Sequence, residues 1–397
     1  QPLLPGAVDY EAALADSSPE PPVIEPSPDD LYILYTGGTT GMPKGVLWRQ
    51  ADIFVAALGG RELATGEEWS TLDAIVDAAH AGGARALPAP PFMHGAAHWL
   101  AFNAFAGGNT VVLPTTTKHL DAADLWTTVE REEVSILLIV GDAFGRPLSD
   151  ELDRATYDVS SLMVLVNGGA ALTAQLKDRL LEQIPNMMLM DGLGASETGS
   201  QARALSTHDA EATTGTFQPG PGMAVLSDDL SAPVEPGHED LGWLAQCGRV
   251  PLGYLNDPAK SARTFVELGG RRYAIPGDRA RLLADGTMEL HGRDSATINS
   301  GGEKIFAEEV EQAIMPHPAV YDVVVCGRPS ERWGSEVVAV VHLYDGTAAT
   351  PDELLAEASR HIARYKLPKQ IVFSDHIVRS PAGKADYRWA RDMVTRS

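Results

Sequence analysis

The segment from Thr36 to Gly45, TGGTTGMPKG, concentrates small residues, hydroxyl groups and one lysine between two apolar stretches. Small residues let neighbouring backbone N–H groups point into one concavity, which suits phosphate oxygens. Thr39 and Thr40 add hydroxyl donors and Lys44 adds a positive charge. The common G-x-x-x-x-G-K-[ST] loop does not match, because Lys44 follows a proline and precedes a glycine. The pattern favours a different phosphate loop over a merely flexible surface loop.

Two further glycine-containing segments follow apolar runs. In VNGGAAL (166–172), paired glycines would let a flat ring approach the backbone, although a plain strand–helix turn fits equally well. In DGLGASETG (191–199), a buried Glu197 would need a cation, and Mg²⁺ prefers oxygen ligands shared with phosphates. An isolated exposed glutamate is the alternative interpretation of Glu197.

Charged residues in the last third of the chain could complete such a site. A carboxylate at Asp278 could accept both hydroxyls of a ribose, and the Arg293 guanidinium is a rigid fork for oxygen-rich ligands. Taken singly, each is more typical of a surface turn or an ion pair. Lys384, in a Pro-x-Gly-Lys context, is by itself typical of a solvated terminal charge.

His94 and His98 stand four residues apart in PPFMHGAAHW. A metal pair on a helix would have this spacing, but the HExxH glutamate and an evident third ligand are missing. A histidine packed in the core is the more typical interpretation.

The elements that must position these residues alternate in type. Apolar runs at 136–140, 162–166 and 187–190 are interleaved with helical patterns, which predicts an α/β arrangement. One helix is predicted from Thr173, as its cap, with apolar residues recurring every four positions. Residues 1–30 are rich in proline and acidic side chains and are predicted to be irregular.

A compact α+β pattern is predicted after about residue 300, with a domain boundary just after Arg293. Thr350 and Glu353 form a capping box that opens one of its helices. The predicted elements are a helix at 307–315, strands near 322–327 and 336–343, a helix at 352–365 and a strand at 370–374.

Bulk properties exclude several functions. The 397 residues suggest two or three domains, and a net charge of −23 argues against nucleic acid and against a polybasic membrane patch. Two cysteines, Cys247 and Cys326, are too few for a disulfide framework and suit a reducing cytoplasm. The longest apolar run is too short for a membrane span. We therefore expect a cytoplasmic protein without integral membrane association.

The segment YTGGTTGMPKGV resembles the phosphate loop of the adenylate-forming (AMP-binding) superfamily, and the other motifs follow in the family's order from residue 31 to 390. That superfamily includes acyl-CoA synthetases, aryl-CoA ligases, luciferases and peptide-synthetase adenylation domains. The resemblance implies an α/β fold: a large adenylating domain of mixed sheets and helices over 1–293, a hinge at 294–296 and a small mobile α+β domain over 297–397. It also implies that the N-terminal part of the large domain is missing here.

The resemblance further implies ATP and Mg²⁺, with CoA as co-substrate and a small-molecule carboxylic acid as the group activated. Lys384 takes the place of the catalytic lysine, with Glu197, Thr40 and His94 as further catalytic residues. Glu197 and Thr40 are the implied metal contacts, and Leu193 stands where an aromatic residue usually stacks on adenine. The implied cofactor contacts are Thr36, Gly37, Gly38, Thr39, Thr40, Gly41, Lys44, Gly169, Ala170, Asp191, Gly192, Leu193, Gly194, Ser196, Asp278, Arg293, Gly301 and Gly302, the last two lining the CoA tunnel.

Within the superfamily the sequence looks most like actinobacterial ligases for long-chain or steroid side-chain acids. Two alternatives stay open: an acyl-AMP ligase that delivers to a carrier protein, and a truncated, non-catalytic nucleotide-binding remnant. The oligomeric state is also left open, a homodimer included.

Overall fold

The computed structural model describes residues 3–36, 43–62, 65–210, 212–380 and 383–396. Its helices are α1 (Tyr10–Asp16), α2 (Gln50–Ala57), α3 (Leu72–His80), α4 (Gly95–Ala106), α5 (Ala122–Arg131), α6 (Gly141–Arg154), α7 (Ala174–Gln183), α8 (Pro258–Thr264), α9 (Ala307–Ile314), α10 (Pro351–Ala358) and α11 (Tyr387–Arg396). Two short 3₁₀ turns are at Asp294–Ala296 and Arg364–Lys366.

Within the described ranges, the strands form three sheets. They are β1 (Leu31–Thr36), β2 (Lys44–Arg49), β3 (Arg85–Pro88), β4 (Thr110–Val111), β5 (Ile136–Ile139), β6 (Val164–Gly168), β7 (Met188–Ala195), β8 (Gly199–Ser206), β9 (Thr216–Pro219), β10 (Met223–Leu226), β11 (Gly242–Cys247), β12 (Gly253–Tyr254), β13 (Phe265–Leu268), β14 (Arg271–Ala274), β15 (Asp278–Leu282), β16 (Met288–Arg293), β17 (Ile298–Ser300), β18 (Glu303–Ile305), β19 (Val320–Ser330), β20 (Gly334–Leu343) and β21 (Gln370–Phe373).

The largest sheet runs β13-β14-β11-β15-β16-β9-β8-β7-β6-β5-β3-β4, with β10 paired to β11. Strands β4, β3, β5, β6 and β7 are parallel to one another, whereas β7 and β8 pair antiparallel. The carboxyl ends of parallel strands meet at one edge, which is where α/β sheets bind ligands. The turn after β6 and the end of β7 therefore share that edge.

Helices α5, α6 and α7 contribute to the main core over this parallel region. Helix α5 has its apolar side chains at three- and four-residue intervals, so one stripe is buried against the strands. The fully buried members include Trp126, Leu137, Leu148, Leu165, Leu180 and Leu189.

A separate sheet lies toward the C-terminus, with the order β18-β17-β20-β19 and β21 parallel to β20. Successive side chains of β19 point to opposite faces. Val323 and Val325 pack with α9 and α10, whereas Val324 and Cys326 pack with α11. Because helices cover both faces, the central residues of β19 are all buried and apolar.

The predicted fold class is confirmed: a large part of mixed sheets and helices is joined to a small α+β part. The capping box of Thr350 and Glu353 is present at the start of α10. Three predictions of detail were wrong. Residues 10–16 form a helix within the segment expected to be irregular, and α10 ends at Ala358 because a turn and a 3₁₀ helix follow it. Thr173 stands at the N-cap of α7 but its hydroxyl donates to Asp142 instead of capping the helix.

Candidate active site

The glycine–threonine loop connects the antiparallel strands β1 and β2. Thr36, at the end of β1, is the register partner of Lys44, at the start of β2. The backbone therefore closes a hairpin here, unlike the strand–helix junction of a Walker-type loop. The predicted phosphate contacts Gly37, Gly38, Thr39, Thr40 and Gly41 lie outside the described residues, and so does the predicted metal contact of Thr40.

Strand β12 continues this small sheet, because Tyr254 pairs with Val46 of β2. The Lys44 ammonium forms a 2.6 Å ion pair with Asp257, which also accepts the backbone N–H of Lys260 as the N-cap of α8. Lys44 and Lys260 lie 5.8 Å and 4.7 Å from the centroid of the Tyr254 ring. Two cations are thus held beside the hairpin by one carboxylate and one aromatic ring.

Glu197 lies in the turn between β7 and β8. Its Oε1 accepts a 2.8 Å hydrogen bond from the hydroxyl of Tyr254, whose side chain is 5% exposed. Burial and the nearby Glu197 carboxylate raise the pKa of Tyr254, so this phenol stays protonated and remains a donor. The neighbouring Ser196 contributes its carbonyl to the indole N–H of Trp48, at 2.9 Å. Both contacts fix the turn against the β1–β2–β12 sheet.

The glycine pair follows β6 at the sheet edge. Gly169 has φ +90°, a conformation that a residue with a side chain rarely adopts, and it is exposed beside a half-buried Ala170. The Asn167 side chain stabilises this turn, because it accepts the Gly141 N–H at 2.7 Å and donates to the Ala170 carbonyl at 3.1 Å. An open backbone surface is therefore held rigidly where a planar ring can lie.

The β7 residues predicted as cofactor contacts include one buried carboxylate, one packed leucine and two glycines. Asp191 is buried against the Lys177 ammonium and also accepts from Asn167 at 2.7 Å, so its carboxylate supports the turn from inside. Leu193 is partly buried against the cluster around Ala202 and Ala280. Gly192 and Gly194 lie between these positions, and a methyl group on Gly194 would come within 2.2 Å of the Gly199 carbonyl oxygen, so the β7–β8 turn requires glycine there.

Asp278 and Arg293 are register partners on β15 and β16. Their side chains form an ion pair with a 3.3 Å contact between Nε and Oδ1. The Asp278 charge, and then that of Glu197, raises the pKa of the Arg293 guanidinium against the effect of burial. The two predicted ribose residues are therefore adjacent, and they lie within electrostatic reach of Glu197.

Lys384 follows a turn that the C-terminal sheet supports. Arg379 donates to both carboxylate oxygens of Asp322, at 2.7 and 2.8 Å, and to the Gly383 carbonyl at 3.0 Å. Loss of hydration and the Arg293 charge lower the pKa of Lys384, whereas Glu197 and Asp278 oppose that shift. The predicted catalytic lysine therefore lies within electrostatic reach of Glu197, Asp278 and Arg293.

His94 stands at the N-cap of α4, and its buried Nε2 has no hydrogen-bond partner among the described residues. Burial and the charge of Lys384 lower its pKa, so the ring is neutral at physiological pH. His98 contacts the Tyr32 hydroxyl with Nε2 and the Phe92 carbonyl with Nδ1. Both nitrogens of His98 are satisfied, as expected for a packed histidine.

Gly301 and Gly302 form the turn of the β17–β18 hairpin, with φ of +62° and +93°. A methyl group on Gly301 would come within 2.8 Å of the Trp333 ring. The structure places this hairpin on the C-terminal sheet beside Trp333, and no contact among the described residues joins it to the Glu197 group.

Tyr254, Asp257 and Lys260 contribute to the site although their sequence pattern carries no specific signal for this chemistry. The available signal was a tyrosine, an aspartate and a lysine at the spacing Y-x-x-D-x-x-K, which is common in surface loops. Only the pairing of β12 with β2 shows that they meet the glycine–threonine hairpin.

The site combines the β1–β2 hairpin with its two lysines, the glycine turn after β6, the ion pair of Asp278 with Arg293, and the ammonium group of Lys384 near Glu197. These are the groups that a nucleoside triphosphate needs, with anion binding at one end and ribose and base recognition at the other. Residues 3–249 match the family model of the AMP-binding enzymes, and residues 309–384 match the model of their C-terminal domain. The chain belongs to the AMP-binding enzyme family.

Its relatives include the medium-chain acyl-CoA ligase Mig of Mycobacterium avium, which is 60% identical over 393 residues, covering 99% of this chain and 71% of that protein. The 3-oxocholest-4-en-26-oate–CoA ligase of Rhodococcus rhodochrous is 43% identical over 98% of this chain and 71% of its own length.

Among solved structures, ATP-bound MatB from Rhodopseudomonas palustris matches with a TM-score of 0.77 at 22% identity, over 96% of this chain and 72% of its own. An anthranilate CoA ligase bound to anthranoyl-AMP matches with the same TM-score at 20% identity, over 99% of this chain and 74% of its own. At such identity these two matches establish the fold alone. Within the described residues, every helix is too short or too polar to cross a membrane.

Proposed function

We propose that this protein activates a carboxylic acid with ATP to an acyl adenylate and then transfers the acyl group to CoA, releasing pyrophosphate and AMP. The acyl-CoA ligase relatives support this reaction class. The single observation that carries the proposal is that Lys384, from the C-terminal part, lies within electrostatic reach of Glu197, Asp278 and Arg293 of the large part. ATP and CoA are both consumed, so we place the reaction in the cytoplasm.

In the first half-reaction, a carboxylate attacks the α-phosphate and pyrophosphate leaves. Two anions approach each other, and negative charge develops on the phosphoryl oxygens. The Lys384 ammonium can contact both partners and stabilise that charge chiefly in the transition state. Asp278 and Arg293 hold the ribose, and the turn at Gly169 and Ala170 receives the base.

Lys44 and the adjoining hairpin, with Thr36 and the residues up to Gly41, bind the leaving phosphates. Asp257 keeps the Lys44 ammonium beside the hairpin until a triphosphate competes for it. The neutral ring of His94 has a buried Nε2 without a hydrogen-bond partner among the described residues, which suits a contact to the substrate carboxylate or the adenylate.

The donor set around Glu197 fits Mg²⁺ carried by a nucleotide. Such ions use one or two protein carboxylates and take their other ligands from phosphates and water. Glu197 is held by Tyr254 and sits near the Arg293 and Lys384 charges, and we assign the second protein contact to Thr40. The ion, when bound, would neutralise phosphate charge and polarise the reacting phosphoryl group.

For the second half-reaction, we propose that residues 297–397 rotate about a hinge at 294–296. Lys384 would leave the site, and the hairpin turn of Gly301 and Gly302 would replace it to line a channel for CoA. Because glycine has no side chain, these positions would let CoA pass close to the backbone in a narrow channel. Such gating excludes water from the adenylate, a reactive mixed anhydride.

A medium-chain fatty acid is the substrate that we propose, because the 60% identical relative is named for that chain length. Steroid side-chain acids form the second candidate class, because a 43% identical relative is named for such an acid. A panel of octanoate, decanoate, palmitate and a steroid side-chain acid separates the two classes.

The test measures acid-dependent exchange of radiolabelled pyrophosphate into ATP, and separately acyl-CoA formation from ATP, decanoate and CoA. We expect Lys384→Ala to lose exchange by at least about a hundredfold, since a transition-state electrostatic contact of this kind contributes about 2.7–4 kcal/mol. The same variant should still convert supplied decanoyl adenylate and CoA into decanoyl-CoA. The matched control, Lys118→Ala, removes an exposed lysine of the large part of the chain.

Exchange that survives in Lys384→Ala would contradict the assigned role of the lysine. Acyl transfer to a purified carrier protein, with none to CoA, would establish the carrier-protein alternative. ATP binding without exchange for any acid would establish the non-catalytic alternative.

A further inference from the structure

Arg146 of α6 reaches from the large part of the chain into the C-terminal part. Its Nη1 donates to the hydroxyl of Tyr344 at 2.7 Å, and its Nη2 lies 3.4 Å from the sulfur of Met315. The guanidinium carbon is 5.7 Å from the ring centroids of both Tyr321 and Tyr344. The two rings stand edge to face, 5.0 Å apart, so together they form an aromatic pocket around one cation.

The same guanidinium is connected by hydrogen bonds to the turn at Gly169 and Ala170, which we call the base-binding turn after its proposed role. Its Nη2 donates to Asp142 at 3.2 Å, and Asp142 accepts the backbone N–H and the hydroxyl of Thr173 at 2.8 and 3.0 Å. The Asp142 N–H in turn donates to the Ala171 carbonyl at 3.1 Å. Asp142 is thereby bonded to two residues that follow Gly169 and Ala170. Its backbone N–H binds Ala171, and the carboxylate that holds Arg146 binds Thr173.

A second contact to the C-terminal part lies at the start of the same helix. Gly383, the neighbour of Lys384, packs so closely that a methyl group there would lie 3.1 Å from the Val140 carbonyl oxygen and 3.4 Å from the Phe144 ring. Helix α6 therefore contacts the Lys384 turn at its N-terminus and the aromatic pocket about one turn later.

We propose that Arg146 is a positioning residue for adenylation: together with Asp142 it couples the base-binding turn to the C-terminal part and holds Lys384 in the site. This inference rests on the two half-reactions proposed above. Nucleotide bound at the turn would order the Asp142 carboxylate and favour the docked arrangement in which Arg146 fills its pocket. Once the adenylate has formed, the C-terminal part can leave without leaving the Arg146 guanidinium unpaired, because Arg146 keeps its ion pair with Asp142.

The geometry distinguishes this role from an ordinary ion pair within one helix. An i,i+4 pair on a helix surface needs no third partner. Here the side chains of Arg146 and Asp142 are only 12% and 10% exposed, and three residues of the C-terminal part surround the guanidinium. Those contacts exist only while the two parts are docked, so they stabilise one half-reaction selectively.

The experiment compares the two half-reactions in the full chain carrying Arg146→Met or Tyr344→Phe. The first variant keeps the length and apolar stem of the side chain, and the second removes one hydroxyl from the partner part. We expect pyrophosphate exchange to fall at least about tenfold in Arg146→Met and several-fold in Tyr344→Phe, as for loss of a charge-assisted hydrogen bond. Conversion of supplied decanoyl adenylate and CoA should stay within twofold of the unsubstituted protein.

Arg179→Met is the matched control, because Arg179 of α7 pairs with Asp150 and Asp153 of α6 and makes no ion pair or hydrogen bond to the C-terminal part among the described residues. It should leave the ratio of the two half-reactions unchanged. Equal losses of both half-reactions in the Arg146 and Tyr344 variants, or no loss of exchange in either, would overturn the inference. An unsubstituted protein without exchange would instead refute the proposed function.

Discussion

The hydroxyl of Tyr254 offers a sharp test of how Glu197 is positioned. In Tyr254→Phe the ring keeps its place against Phe265, 5.5 Å between centroids, and beneath the Lys260 ammonium. The substitution removes the 2.8 Å hydrogen bond to the Glu197 carboxylate and the contact of the hydroxyl with the Thr264 side chain. The substitution therefore changes the orientation of a carboxylate without opening a cavity in the core.

A hydrogen bond to a charged group contributes about 1.5–3 kcal/mol. If adenylation requires Glu197 in its present position, that loss corresponds to a roughly 10- to 150-fold slower pyrophosphate exchange, because about 1.4 kcal/mol is tenfold in rate. The assay is exchange at several Mg²⁺ concentrations, and we expect the variant to need more Mg²⁺ for half-maximal exchange.

Tyr273→Phe is the matched control, since Tyr273 is a buried tyrosine, 4% exposed, in a core cluster with Leu226 and Ala245. It should leave both the exchange rate and its Mg²⁺ dependence unchanged. If Tyr254→Phe behaves like this control, the phenol does not position the carboxylate, and the reasoning that connects β12 to the site is refuted.

Gly383→Ala should slow pyrophosphate exchange at least tenfold, because the new methyl group would press on the Val140 carbonyl. Gly346 has the same φ of +75° but open space around it, so Gly346→Ala should leave the exchange rate unchanged. Equal effects in these two variants would implicate backbone strain alone. In its proposed role Lys384 acts as the ammonium. Loss of hydration and the Arg293 charge lower its pKa, so exchange should fall with rising pH below the pH of about 10.4 typical of a free lysine. A fall in exchange that begins only at or above that pH would contradict this. Burial raises the pKa of Glu311 to about 8, so the native state binds a proton that the unfolded chain releases near pH 4.3. The unfolding free energy should then decrease as the pH rises between these two values, by up to about 1.4 kcal/mol per pH unit. In urea titrations, the stability of Glu311→Gln relative to the unsubstituted protein should be greater at pH 9 than at pH 6. An equal stability difference at both pH values would refute the prediction.

Local patterns in the sequence were sufficient for the elements themselves. The apolar runs of β5, β6 and β7 predict buried strands because strands of a parallel sheet are covered on both faces. Thr350 with Glu353 predicts the start of α10 through bonds made within one turn. The hairpin loop and Glu197 were candidates because their residue types suit a triphosphate and its metal ion, whereas Asp278, Arg293 and Lys384 were candidates through the resemblance of their motifs to the AMP-binding family. Such inferences need only neighbours in sequence.

Which candidates meet was decided by tertiary structure. Asp191, in β7, and Glu197, in the turn after it, are six residues apart, yet Lys177 of α7 pairs with the first inside the protein while the second lies within electrostatic reach of Lys384. Arg146 and Tyr344 are separated by 198 positions, and no local pattern distinguishes that arginine from one on a solvated helix. Contacts of this kind depend on how whole sheets and helices pack. The sequence by itself determined which chemical groups are available, whereas the packing of the C-terminal part against α6 decided which of them act together.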